Sequence, residues 1–326
     1  MKRPYDFTYL ATTYGFSLND IEKVCRLSDV IEDISYVPFL RDRLSLYGGT
    51  ALAFIYYQSL PRLSIDIDFN YRQVNSTEWG QVRTQIDEQV KTILAMQGYT
   101  PDQLAIQASY PLGRLDVHYT NTTGMHDRFN IEIGYLRRTP ILPHDTFQPF
   151  RHIGTDERIR VKTPQPMELF ANKWCVMLYR GSPRDLFDVY QISSMPIDPD
   201  VFRKCAIVDS LMRCINTNFE LAPKLHEINV NKVIQAIPIN SSLKNLLNQR
   251  TPYNFTRMKE DVLAFSNQII ESITDDEQQA IHHFYQTASL NTRLLSTTLF
   301  HKNLNAHPLI RRNERVLKRK QQSTRA

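Results

Sequence analysis

The strictest hydrophobic pattern in the chain is IDIDFNY, residues 65–71, where apolar and polar side chains alternate without a break. A period of two is typical of a β-strand with one buried face. The carboxylates of Asp66 and Asp68 therefore share the other face, where they repel each other unless a cation lies between them. Hard oxygen ligands of this kind favour Mg²⁺ or Mn²⁺.

A glycine pair precedes this strand. Gly48 and Gly49, followed by Thr50, open the apolar segment ALAFIYYQSL, which is typical of a buried helix. Glycines let the backbone approach a ligand closely, and the amides at a helix start suit a phosphate. Each feature alone is common on ordinary protein surfaces. Together, in this order, they favour phosphoryl or nucleotidyl transfer with two metal ions.

The texture of the sequence changes near Pro164. Before it, the pattern predicts an amphipathic helix at 76–97 and strands at 103–109, 114–119, 128–136 and 158–162. After it, helices are predicted at 166–179, 183–192, 199–214, 255–271 and 275–287. Pro164, Pro166, Pro183 and Pro199 fall at or near the starts of the first three, where proline is tolerated. We therefore predict an α+β domain over residues 1–164 and a helical domain over residues 165–326.

The formal net charge of +5 is concentrated at the end of the chain. The last sixteen residues, RRNERVLKRKQQSTRA, contain seven basic residues and one acid, so the rest is close to neutral. This basic tail is expected to be frayed, and it permits a polyanionic partner. No apolar run reaches the length of a membrane span, so no membrane contact is predicted.

The four cysteines, Cys25, Cys175, Cys205 and Cys214, are widely spaced and form no CxxC pair. This usage is typical of reduced thiols, and with no signal-peptide core at the start it predicts a cytoplasmic protein. The histidines show no metal-binding spacing such as HExxH, so no histidine metal site is predicted.

Two motifs resemble the AbiEii/AbiGii toxin family. GGTALAF followed by RLSIDIDF is similar to its first motif, although the stretch between GGT and the first Asp is longer than expected. VKTPQPMELFANKWCVMLYRGSPRDLFDVYQI, residues 161–192, is similar to the second: a helix with a Lys, then Arg-Asp-x-x-Asp opening the next helix. The resemblance implies a DNA-polymerase-β-type nucleotidyltransferase fold, a mixed sheet with flanking helices.

That fold requires a third carboxylate on a neighbouring strand. The resemblance points to Glu132 in RFNIEIGYL, and alternation places it on the same strand face as Asn130. Asp116 in RLDVHY satisfies the same local logic and remains an alternative. In the implied site, Asp66 and Asp68 hold both metals and Glu132 holds the metal nearer the attacking hydroxyl.

The second motif implies that Lys173 contacts phosphate and that Asp185 is required, orienting Lys173 or the nucleotide. Arg184 and Asp188 belong to the same implied nucleotide site, as do Gly48, Gly49 and Thr50 of the first motif. Without the resemblance, a lysine on an apolar helix snorkels to solvent, and acids in a first turn merely favour the helix dipole.

The resemblance implies a Mg²⁺-dependent toxin of a toxin–antitoxin or abortive-infection system that transfers a nucleotide from an NTP. Some relatives extend the 3′ end of tRNA, so tRNA is the expected acceptor and a cognate antitoxin an expected partner. Two alternatives stay open. One is a nucleotidyltransferase that modifies a protein or small molecule, and the other is a non-catalytic protein that binds nucleotide or nucleic acid.

Overall fold

A computed structural model describes residues 2–72, 79–109, 112–216, 218–295 and 298–325. The chain separates into two compact units. The first comprises Met1–Arg138, Asp145–Pro164 and Lys244–Pro252, and the second comprises Thr139–His144, Gln165–Leu243 and Tyr253–Ala326. Two short segments thus depart from a division of the chain into 1–164 and 165–326.

The first unit is built on a five-stranded sheet. Its strands are β1 (Leu44–Leu46), β2 (Asp66–Tyr71), β3 (Leu104–Ser109), β4 (Leu112–Thr120) and β5 (His126–Gly134). They lie in the order β1-β2-β5-β4-β3. The β2–β5 pair is parallel and the other neighbours are antiparallel, so the sheet is mixed, as the α+β prediction requires.

Helices of the first unit flank this sheet: α1 (Phe7–Tyr14), α2 (Leu18–Tyr36), α3 (Pro38–Arg41), α4 (Gly48–Ala51) and α5 (Trp79–Met96). Residues 76–78 of the helix expected at 76–97 lie outside the described part of the chain. The central α2 is capped by Ser17, whose side chain accepts a hydrogen bond from the Asp20 amide. This amide lies in the first turn, where no carbonyl of the helix can accept its proton. Strands β6 (Thr146–Phe150) and β7 (Ile159–Thr163) form a separate two-stranded sheet.

A later segment of the chain completes the first unit. The Leu63 amide donates to the carbonyl oxygen of Leu246 (2.9 Å), and the Asn248 amide donates to that of Pro61 (2.9 Å). Lys244–Pro252 therefore supplies backbone partners to the residues that lead into β2. These bonds satisfy backbone groups of Pro61 and Leu63, which belong to no helix or strand.

The second unit is helical. Its helices are α6 (Pro166–Arg180), α7 (Pro183–Ser193), α8 (Pro199–Met212), α9 (Val230–Ala236), α10 (Ser241–Lys244), α11 (Phe255–Glu271), α12 (Asp275–Thr287) and α13 (Pro308–Arg325). The ring of Trp174 is fully buried, 5.9 Å from the ring of Phe202, and its Nε1 donates to Ser266 Oγ at 2.9 Å. A buried indole needs such a partner, which fixes the packing of α6 on α11.

Two local expectations are wrong, and one strand was not expected. The segment after Gly49 is a short helix followed by a π-helical turn, Leu52–Tyr56, rather than one long helix. Strand β6 is not predicted by its sequence. The C-terminal tail is the helix α13 up to Arg325 rather than frayed chain. No helix in the described residues is both long and apolar enough to cross a membrane.

The tail is ordered because α13 has a buried face. Ile310 and Leu317 are buried, and the fully buried Asn313 donates its amide protons to the carbonyl oxygens of Leu211 (2.9 Å) and Met212 (3.0 Å). Carbonyls at the end of a helix lack intrahelical partners. Asn313 therefore caps α8 from a distance in sequence that no local pattern reveals.

Replacing Asn313 with Ala is expected to lower the free energy of unfolding by about 1–3 kcal/mol, because two buried carbonyls lose their donor. Urea denaturation of the purified protein measures this change. Gln322→Ala, at an exposed position of the same helix, is the matched control and should change stability by less than about 0.5 kcal/mol. Equal stability of both variants would contradict the docking of α13 on α8.

Candidate active site

The predicted carboxylates lie on two neighbouring strands of the first unit. Register in the parallel β2–β5 pair places Glu132 opposite Asp68, and Asn130 opposite Asp66. The three acids are partly exposed, whereas Ile67 between them is buried. Residues opposite each other on paired strands share a face, so the sheet brings Asp66, Asp68 and Glu132 to one side.

Hydrogen bonds orient two of these carboxylates. The side-chain amide of Asn130 donates to Asp66 Oδ1 at 3.2 Å, and the Arg114 guanidinium donates to Glu132 Oε1 at 3.3 Å. Neither contact was predicted from the sequence. The alternation that places Asn130 and Glu132 on one face was the available signal.

Asp116 occupies a different position from Glu132. It lies on β4, which β5 separates from β2. Its side chain is only 4% exposed and forms ion pairs with Arg114 (2.7 Å) and Arg128 (3.6 Å). The hydrogen bond to Asp116 is the main reason why the pKa of Arg114 is raised. Sheet order thus favours Glu132 as the partner of Asp66 and Asp68.

The glycine turn contacts the second carboxylate directly. Gly48 has a φ of +66°, and a Cβ at this position would lie 2.3 Å from Asp68 Oδ2. A Cβ on Gly49 would lie 2.6 Å from Arg62 Nη2 and 3.1 Å from Ser64 Oγ. Both glycines are therefore needed for close approach, and Gly48 also for a left-handed backbone.

The Thr50 hydroxyl forms its hydrogen bonds within the protein. Its fully buried hydroxyl donates to the carbonyl oxygen of Asp66 and lies 2.9 Å from Ser64 Oγ. Arg62, also buried, donates to the carbonyl oxygen of Leu63 at 2.7 Å. These contacts fasten the glycine turn to the start of β2. Arg62 and Ser64 were missed as site residues, although both lie inside the motif RLSIDIDF.

In the second unit, one lysine contacts two carboxylates. Lys173 Nζ lies 2.8 Å from Asp185 Oδ1 and 2.8 Å from Asp188 Oδ2. Asp185 Oδ2 also accepts hydrogen bonds from the Arg180 guanidinium at 2.6 and 3.0 Å. Both aspartates are fully buried, and Lys173 is 8% exposed. The spacing of i and i+3 brings both acids to one face of α7, as the sequence predicts.

The short connection between α6 and α7 explains why Lys173 lies close to these acids. Helix α6 ends at Gly181, which has the left-handed φ of +67°, and α7 begins at Pro183. This tight glycine–proline connection turns the chain so that the first turn of α7 faces Lys173. Arg184, in the same turn, is half-buried.

Glu168 was missed by the sequence reasoning. It is buried on α6, and its Oε2 accepts hydrogen bonds from the amides of Ile141 (2.8 Å) and Leu142 (3.0 Å). It therefore holds the segment Thr139–His144 in the second unit. A lone acid in the apolar stretch MELFANKW was the available signal, because buried acids need such partners.

Two groups of side chains bring histidines together with acids in this fold, at spacings that the sequence prediction of no histidine metal site did not consider. Ligand atoms of Asp29, Glu32 and His152 lie within 4.8 Å of one another, and all three residues are buried. A second, more exposed group comprises His226, Glu227 and His282. There, burial and the neighbouring His282 lower the pKa of His226. Residues distant in sequence form both groups, so spacing rules could not find them.

The contacts of the buried group are those of a hydrogen-bond network. The Gly154 amide donates to His152 Nδ1 (3.1 Å), which assigns the ring proton to Nε2, 3.3 Å from Asp29 Oδ1. The Tyr5 hydroxyl also donates to Asp29 (2.5 Å). A metal on Nε2 would require the opposite tautomer, against the Gly154 amide. The group therefore fits a role in holding the N-terminal segment.

A family model described as "Nucleotidyl transferase AbiEii toxin, Type IV TA system" matches residues 32–280, more than half of the chain. The chain belongs to this family. The AbiEii family consists of nucleotidyltransferase toxins of type IV toxin–antitoxin systems, so NTP is the substrate class and a cognate antitoxin the family's partner. No curated protein sequence matches the chain.

One solved structure supports the fold. MenT4, a nucleotidyltransferase toxin from Mycobacterium tuberculosis, matches with a TM-score of 0.64 at 16% identity, covering 90% of this chain and 99% of MenT4. The Vibrio cholerae cyclic AMP-GMP synthase DncV, in complex with nonhydrolysable GTP, has a TM-score of 0.23 at 10% identity, covering 87% and 80%. CdnC from E. coli with ATP has 0.24 at 11%, covering 93% and 97%. The last two values are too low to support any argument.

Gly48→Ala is expected to abolish most nucleotidyl transfer, because the new Cβ must displace the Asp68 carboxylate and the left-handed φ becomes strained. Transfer assays and thermal unfolding measure the effect. Gly80→Ala is the matched control: an added Cβ there meets no atom within 4 Å, so activity should be retained. Full activity of Gly48→Ala would contradict the contact with Asp68.

Asp188→Asn is expected to lower the free energy of unfolding by about 2 kcal/mol, because Lys173 loses one of two buried charged partners. Asp200→Asn is the control, since the Asp200 side chain is 54% exposed although it pairs with Arg203 and Lys204. Its cost should stay below about 1 kcal/mol. Equal costs in urea denaturation would show that the buried contact contributes no more than an exposed one.

Proposed function

We propose that this AbiEii-family chain transfers a nucleoside monophosphate from an NTP to the 3′-terminal hydroxyl of tRNA, with two Mg²⁺ ions bound by Asp66, Asp68 and Glu132. One observation supports the proposed metal site above the others. The parallel pairing of β2 and β5 places Glu132 opposite Asp68, on the sheet face that carries Asp66.

The residues present suit the proposed ions. All three side chains offer carboxylate oxygens, the ligand type that Mg²⁺ prefers, and Mn²⁺ accepts the same set. Three like charges on one face are unfavourable without a cation, and Arg114 forms an ion pair with Glu132 at 3.3 Å. Bound Mg²⁺ would offset the charge on the triphosphate and lower the pKa of the acceptor hydroxyl.

In this proposal the chain's own groups position the reactants. Asn130 orients Asp66, and Thr50 fixes the backbone at the start of β2. The turn at Gly48 and Gly49 presents backbone without side chains beside Asp68, which leaves room for the phosphates. Thr50 contributes to the site by holding the backbone of Asp66 in place, and a contact with the nucleotide would be a second role of this residue.

For the second motif we propose that Lys173 contacts phosphate and that Asp185 is its positioning residue. The 2.8 Å contact between them supports this division of roles. Asp188 contacts the same ammonium group of Lys173. The two acids together fix the position of this group, and their negative charges offset its positive charge. Arg184, the half-buried member of the motif, is proposed to contact the nucleotide.

An RNA acceptor is favoured over a protein or small molecule because α13 carries most of the chain's excess positive charge. RNA is a polyanion, and phosphate contacts from Arg and Lys supply much of its affinity for proteins. The identity of the acceptor as tRNA rests on the family resemblance, and so does the proposed binding of a cognate antitoxin.

The test is purified protein with labelled NTPs, Mg²⁺ and total tRNA. Glu132→Gln is expected to lose at least about 100-fold in transfer rate, as removal of a metal ligand should. Asp116→Asn, the matched control on the adjacent strand, should retain most activity once its stability has been checked by thermal unfolding.

The results also separate the alternatives. Loss of activity with Asp116→Asn but not with Glu132→Gln would reassign the third carboxylate. If wild-type protein labels no RNA with any NTP, mass spectrometry of proteins and small molecules incubated with NTP and Mg²⁺ decides between another acceptor and no transfer. EDTA should abolish labelling, and added Mg²⁺ should restore it.

A further inference from the structure

The C-terminal helix separates its buried and basic residues by face. Ile310, Asn313 and Leu317 are buried and recur at i, i+3 and i+7, which is one side of a helix. The exposed side carries four basic residues at i, i+4, i+7 and i+8, which we name the basic stripe: Arg311, Arg315, Lys318 and Arg319. At 1.5 Å per residue the stripe is about 12 Å long.

The stripe is not balanced by acids of its own. Arg311 pairs with Glu314 at 3.1 Å, but within the described residues Arg315, Lys318 and Arg319 take part in no ion pair. Like charges three and four residues apart disfavour a helix. The buried face holds α13 together despite this repulsion, so the stripe is a preformed line of positive charge that suits a polyanion.

An exposed aromatic side chain lies beside the stripe. Phe219 is 58% exposed, lies two residues before Leu221, which forms an isolated bridge with Ile215, and has a φ of +60°. A large side chain in this left-handed region is rare and strained. The Arg312 guanidinium lies 5.4 Å from the centre of the ring. On α13, Arg312 precedes Arg315 and Arg319 by three and seven residues, so the ring adjoins the stripe.

We propose that the basic stripe and Phe219 form an RNA-binding surface in which the stripe contacts backbone phosphates and Phe219 stacks on an unpaired base. Unpaired RNA bases are typically held on aromatic rings and guanidinium planes, while Arg and Lys contact the backbone. The ring adds a flat apolar face on which an unpaired base can stack, beside charges that suit the RNA backbone. The inference deepens the proposed function, on which its choice of RNA rests.

The first test removes the phosphate contacts. Arg315→Gln, Lys318→Gln and Arg319→Gln are combined in one variant, and Arg158→Gln, Lys232→Gln and Arg257→Gln in a control with the same change in net charge at other exposed positions. Equilibrium binding of labelled tRNA, without NTP, is measured between about 50 and 200 mM salt. The stripe variant should bind at least about tenfold more weakly at low salt, with a salt slope lower by about two to three.

The second test removes the stacking contact. Phe219→Ala should weaken binding of unpaired RNA about tenfold while leaving the salt slope unchanged, because stacking releases no counterions. Phe219→Trp should restore affinity. Leu221→Ala is the control, since Leu221 lies two residues from Phe219 and is 53% exposed but offers no aromatic face.

The proposal is overturned if the stripe variant and its control keep equal salt slopes, or if Phe219→Ala binds RNA as Leu221→Ala does. It is also overturned if the stripe variant loses binding only to a co-expressed antitoxin protein and not to RNA.

Measuring RNA binding without NTP distinguishes the role of this surface from catalysis. RNA binding that depends on the stripe, with no transfer to any RNA, refutes the proposed function alone, whereas transfer by a stripe variant with normal RNA affinity refutes the surface alone.

Discussion

The parallel pairing of β2 with β5 is the interaction on which the candidate active site depends. It places Glu132 beside Asp68 although the two residues come from distant parts of the chain. Ile67 and Ile131, opposite each other in the same register, are buried on the reverse face. A slip of one residue would exchange the two faces of a strand. Hydrophobic packing on one side of the sheet therefore sets the positions of the carboxylates on the other.

The two family motifs use aspartates in opposite ways. Asp66 and Asp68 are partly exposed on a sheet face, so their charge remains accessible to a cation from solution. Asp185 and Asp188 are fully buried and already contact a cation of the protein, Lys173. Burial without a partner would cost these acids far more than exposure does. The environment thus decides which carboxylates can bind an ion and which orient a side chain.

Regular elements were readable from the sequence because their signals are local. Strict alternation identified β2 and β5, and proline positions marked the starts of α6 and α7. The order of strands was not readable, and this order is what distinguishes Glu132 from Asp116. Non-local contacts were invisible for the same reason: Glu168 caps a remote loop, and Asn313 caps α8 and so orders a tail whose charge alone indicates a solvated segment.

The backbone bonds from Lys244–Pro252 to Pro61 and Leu63 have a consequence for synthesis. The chain that leads into β2 obtains these partners only after the ribosome has made residues 244–252, long after β2 itself. Until then the backbone groups they satisfy have only water to bond. A toxin fold closed by a later segment completes its carboxylate-bearing unit only once that segment has been made, so chains released before it lack part of that unit's framework.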